Sequence, residues 1–94
     1  MNDNKIPEEM LKLRNVLNSR GVVWYDRTEK PSFSLLDLTI YRTWFIHKGK
    51  EWTVISGYGT YGGEQGLLEV IIDDYNPMGS LTAQEVIMMM EGNK

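Results

Sequence analysis

Five of the nine glycines fall within ten residues, Gly57-Tyr-Gly-Thr-Tyr-Gly-Gly-Glu-Gln-Gly66, between two apolar, strand-like runs. Glycine adds conformational entropy to the unfolded chain and packs nothing. So dense a cluster weakens a sheet unless the backbone needs positive φ or close approach to something. The stretch therefore reads as a connection between strands, either a wide hairpin loop shaped by a bulge or a loop that meets a ligand or partner. Its Gly57-x-Gly59-x-x-Gly62 spacing matches the dinucleotide-binding pattern. That pattern opens a helix inside a βαβ unit, whereas a strand follows here. A protein kinase carries the pattern between two strands, but its catalytic apparatus needs far more chain. What survives is the physics: consecutive N–H groups of such a loop can face a phosphate or carboxylate.

The elements around the stretch are readable. Pro7 to Arg20 forms a helix with Met10, Leu13, Val16, Leu17 and the stem of Arg20 on one face, and Gly21 just beyond its end. Residues 22–26 form a short strand, and residues 27–34, with Pro31, a loop. Residues 38–47 form a β-branched and aromatic strand that turns at Lys48-Gly-Lys50 and returns along 52–56. Residues 67–73 form a fourth, near-continuously apolar strand, and residues 74–80 a turn-rich connection. A second helix starts at Thr82, where Thr82 and Glu85 make a capping box with Leu81 as staple onto Val86, and ends at Gly92. The expected fold is a single α+β domain in α-β-β-β-β-α order: a four-stranded, mainly antiparallel sheet with two helices packed on it. Residues 1–5 are expected to be disordered.

Ninety-four residues hold one modest core, since a chain this short buries roughly 60–65% of its unfolded surface. The absence of cysteine excludes disulfides and thiolate metal sites. No apolar run approaches the roughly 20 residues that span a bilayer, and the N-terminus lacks the apolar core of a signal peptide. These features fit a cytoplasmic protein. The net charge of −3 is uneven. Residues 1–50 carry nine Lys/Arg and six Asp/Glu, a balance of +3; residues 51–94 carry one Lys and seven Asp/Glu, a balance of −6. Clustered cations for a long nucleic acid are missing, but one or two arginines with backbone N–H groups suffice for a small anion.

Arg42 and Thr43 interrupt the longest strand. Arg42 shares a face with Ile40, Trp44 and Ile46, where a charge wants a partner: Asp26, Glu69 or a bound anion. Three tryptophans and five tyrosines mostly supply core area, and those nearest the glycine stretch can stack on a base. His47 reads as an exposed turn residue, and Asp73-Asp74 as a capped turn rather than a metal pair. Met88, Met89 and Met90 point about 100° apart on a helix, so at least one faces outward, onto solvent or onto a homo-oligomer seam.

Several motifs together resemble small phage and prophage proteins of Gram-positive and gut bacteria. They are Trp24-x-Asp26, Arg42-Thr43-x-Phe45, the run from Thr53 through Gly57-x-Gly59-Thr-Tyr-Gly62, Gly66-Leu-Leu-Glu69, and Leu81-Thr-Ala-x-x-Val86. The resemblance spans residues 14–90 and implies a cytoplasmic, non-enzymatic inhibitor of host defence. Some such proteins sequester cyclic nucleotide signals, and others bind a defence protein directly. On the first reading the ligand-binding residues are Trp24, Asp26, Arg42, Thr43, Gly59, Thr60, Tyr61 and Gly62. Gly59, Thr60 and Gly62 would cradle phosphate, Arg42 would pair with charge, and Trp24 and Tyr61 would stack. On the alternative, the acidic second half and the Met-rich helix contact a basic host protein. Neither reading calls for a cofactor, a metal or catalysis.

Overall fold

The computed structural model describes residues 6–30, 39–57, 60 and 65–92. Its element order is α1 (Glu8–Ser19), β1 (Trp24–Asp26), β2 (Ile40–His47), β3 (Lys50–Gly57), β4 (Leu68–Ile72), β5 (Met78–Leu81) and α2 (Ala83–Gly92). The strands pair antiparallel in chain order, β1-β2-β3-β4-β5. The fold is α+β, with five strands where the sequence suggests four.

The fifth strand lies in the stretch expected to be connection only. Asp73 and Asp74 both adopt positive φ, 51° and 63°, and the Tyr75 N–H bonds the Ile72 carbonyl at 2.9 Å. This is the tight, mirror-image turn that matches strand twist, and it sends the chain straight back along β4. Leu68 pairs with Leu81 and Val70 with Met78, so β5 carries one residue more than its partner. Ser80, at φ 60°, lies within that bulge. A strand written Met-Gly-Ser-Leu has none of the β-branched signal that marks the others.

α1 buries Met10, Leu13, Arg14 and Leu17, and Val16 packs half-buried against the core on the expected face; Arg20 is exposed, contrary to the expected stripe. Its end is a Schellman motif: Gly21, at φ 73°, lets the Val22 N–H reach Leu17 O at 2.9 Å and its own N–H reach Asn18 O at 3.1 Å. α2 starts on the expected capping box, with the Glu85 N–H to Thr82 Oγ1 at 3.2 Å and the Thr82 N–H to Glu85 Oε1 at 2.8 Å.

The core lies between this helix layer and one face of the sheet. Tyr41 and Phe45 of β2, Trp52 and Val54 of β3, and Leu68 and Val70 of β4 meet the buried stripes of both helices. Phe45 and Trp52 stack at 5.7 Å. Alternation then assigns β2 its faces. Tyr41, Thr43 and Phe45 are buried against the helices, while Ile40, Arg42 and Trp44 lie half-buried on the opposite face, which neither described helix covers.

Candidate functional site

The centre of the expected site belongs to a residue the sequence reading passed over. Arg14 follows Met10 by four positions and so falls within the buried stripe of α1. A buried guanidinium needs acceptors on several sides, and β1 and β2 supply them. Nε donates to Thr43 Oγ1 at 2.8 Å, while Nη2 lies 3.3 Å from both Asp26 Oδ1 and the Arg42 carbonyl. The guanidinium carbon stands 4.7 Å from the centre of the Trp24 ring. Thr43 Oγ1 donates in turn to Met10 Sδ at 3.1 Å, and Trp24 Nε1 donates to Asn18 Oδ1 at 2.8 Å.

Asp26 also accepts from the Thr28 hydroxyl and from the Thr28 N–H at 3.0 Å. Partial burial works to raise its pKa. The Thr28 hydrogen bonds and the charge of Arg14 outweigh that effect, and the carboxyl sits below its ordinary 3.8. Trp24, Asp26 and Thr43, expected to hold a ligand, are thus engaged with α1, Thr28 and the core.

Arg42 is separated from them by the sheet itself. Its ion pair is with Glu29, at 3.2 Å, and not with Asp26 or Glu69. Glu29 is brought there by a two-way backbone bridge to Ile40, both bonds 2.9 Å, which continues the β1–β2 pairing. Arg42 Nε is buried without a hydrogen-bond partner among the described residues. Thr60 serves its own turn: Oγ1 accepts from the Gly57 N–H at 3.0 Å and donates to the Gly57 carbonyl at 2.9 Å. At Gly57, φ is 142°, and a Cβ would stand 2.3 Å from the Thr39 carbonyl oxygen, so this glycine is required by close approach of two strands. Gly59, Tyr61 and Gly62 lie outside the described residues.

What the side of β1 and β2 away from the described helices does gather is an aromatic patch. Tyr25 and Trp44, cross-strand partners, have ring centres 5.6 Å apart. The exposed Arg27 places its guanidinium 4.4 Å over Trp44. Val23, Tyr25 and Ile46 are 70%, 48% and 47% exposed. A shallow cleft of about 380 Å³ runs among Val22, Val23, Tyr25, Trp44 and Ile46. The pattern was in the sequence, since Val23 and Tyr25 alternate with the inward-facing Trp24, but which face carries the helices was not.

The remaining candidates divide. His47 is half-buried rather than an exposed turn residue: its Nε2 lies 3.3 Å from the Met90 carbonyl, and its ring meets Trp52 edge-on at 5.9 Å. Asp73 sits in a turn as expected, but its side chain accepts from the Glu51 N–H of β3 at 2.8 Å and so ties the turn to the neighbouring strand instead of capping it. Met88 is exposed, Met89 half-buried and Met90 buried. No described helix is long and apolar enough to cross a membrane. No family model, curated protein or solved structure matches the chain.

Proposed function

We propose that this chain is a non-enzymatic binding module that acts by direct contact with another protein, through the Val23–Tyr25–Arg27–Trp44–Ile46 patch. The observation that carries the reading is the exposed Tyr25 paired with the half-buried Trp44, with the exposed Arg27 stacked on the tryptophan ring. Tyrosine, tryptophan and arginine are the residues that dominate binding energy at protein interfaces, because each offers a large rigid contact with a polar handle. The resemblance to small phage proteins makes a host defence protein the natural partner, with inhibition by occlusion.

Sequestration of a nucleotide-type anion is the second reading. One observation favours it: Arg42 Nε, a buried donor that finds no acceptor among the described residues after the Glu29 pair. Against it stands the engagement of Trp24, Asp26 and Thr43 on the other side of the sheet.

Two parallel measurements separate the readings. Affinity capture from host lysate with the wild type and a Tyr25→Ala/Arg27→Glu variant is expected to yield one stoichiometric protein that the variant loses. A thermal-shift panel of cyclic dinucleotides, cyclic trinucleotides and cyclic ADP-ribose isomers is expected to stay flat. A selective shift would reverse the order of the readings, since a folded-state ligand at a hundredfold excess over Kd adds about 2.7 kcal/mol.

A further inference from the structure

A second surface lies on the helix side of the sheet. Glu85, Met88, Met89 and Gly92 recur at i, i+3, i+4 and i+7 and form one stripe of α2, distinct from the buried stripe of Ala83, Val86, Ile87 and Met90. Opposite it stand Ile72 at the end of β4 and Met78 at the start of β5, with Trp52 of β3 also lining the space. The groove between them holds about 540 Å³. Met88 and Met78 are 56% and 41% exposed. Methionine is flexible and polarisable and suits an apolar surface that must fit what arrives.

Trp52, 1% exposed, has no acceptor for its Nε1–H among the described residues, and its indole signal serves as a reporter of the groove. The charge around the groove says what arrives. The groove lining contains one carboxylate, Glu85, and no cation, and the exposed Asp73 and Asp74 follow Ile72 directly. From Trp52 to Gly92 the chain has no Lys or Arg at all. The nearest cations along it are Lys50, two residues before Trp52, and Lys94, two residues after Gly92. A two-fold pairing of this surface with a second copy would set those carboxylates against their own images. A cationic partner gains from the same arrangement.

We propose that the groove between α2 and the β4–β5 hairpin is a docking site for a cationic amphipathic helix of a partner protein. The two-turn stripe on α2 presents the ridge that a neighbouring helix packs against, and Gly92 leaves room for close approach at one end. The site is independent of the aromatic patch, which lies across the sheet.

The test uses a designed Leu/Lys amphipathic peptide of about five helical turns, a Leu/Glu peptide of the same pattern, and the ¹⁵N-labelled protein. Of the three tryptophan indole N–H signals, that of Trp52, assigned through a Trp52→Phe variant, is expected to move saturably with the Leu/Lys peptide. The Leu/Glu peptide is expected to bind at least about tenfold more weakly. Met88→Lys, a change at an exposed position, is expected to weaken binding by about tenfold or more. Glu85→Gln keeps the cap on α2, since glutamine serves in a capping box, and is expected to weaken binding about threefold. Three outcomes would each overturn the proposal: no movement of the Trp52 signal at peptide excess, equal movement with both peptides, or movement with protein concentration alone accompanied by a doubled mass. The last would give the groove to a second copy.

Discussion

Arg14 decides what most of the expected site residues do. Its four neighbours, Trp24, Asp26, Thr43 and the Arg42 carbonyl, hold a charge inside a small core, and the arrangement ties α1 to β1 and β2 at one point. The Asp26 arm of this contact carries a pH signature. Its folded pKa lies below 3.8. Its contribution to stability is therefore complete above the unfolded-state value and is lost as pH falls below about 3.8. The carboxylate is half exposed, so solvent screens the pair and the contribution is at most about 1 kcal/mol. Thermal melts of wild type and Asp26→Asn are expected to differ by up to that amount near neutral pH. The two curves should converge in acid; a gap that persists there would mean that the asparagine disturbs packing instead. Arg14 was legible in principle, as a charge at helical spacing in an apolar stripe. Whether such a residue snorkels outward or is fully enclosed depends on what sits across from it, and that is information about β1 and β2 rather than α1.

The helices show the same dependence one scale up. Each was readable from its own residues: spacing, Gly21 after α1, and the Thr82–Glu85 box before α2. Their mutual arrangement was not, because the contacts that set it are long-range. Glu9 Oε1 accepts the Ala83 N–H at 2.8 Å, and Arg20, at the other end of α1, pairs with Glu91 near the end of α2. The two helices therefore run side by side in the same direction. Glu9 places a carboxylate at both N-termini, its own and that of α2, where the helix dipole favours negative charge. Glu9→Gln keeps the oxygen acceptor and removes the charge; it is expected to cost about 0.5–1 kcal/mol in chemical denaturation, with the cost shrinking at high salt. An unchanged midpoint would mean that the shared cap contributes nothing beyond its hydrogen bond. β5 is the reverse case, invisible locally and created by its turn, since a Gly-Ser bulge takes its place in the sheet only because Asp73 and Asp74 reverse the chain beside β4.

At the scale of the whole molecule, the sequence made the α+β class and the β2–β3 hairpin clear, because periods of 3.6 and 2 are local properties of the chain. It could not gather a site. Arg42 and Thr43 are adjacent in sequence and face opposite ways on a strand, and only the location of the helix layer says which of them meets the core. The result is a sheet laid down strand after strand in chain order, with the two described helices joined across the face they cover. That joint has a mechanical consequence. Force applied at the start of α1 and the end of α2 acts at opposite ends of two parallel rods, so it shears their seam instead of peeling it. The Glu9 and Arg20 links and the apolar contacts between them then bear load together. Stretched between these points in an optical trap, the molecule is expected to yield in one high-force event, with the hairpins unravelling only afterwards. A staircase of small early events would mean that the sheet gives way before its clasp.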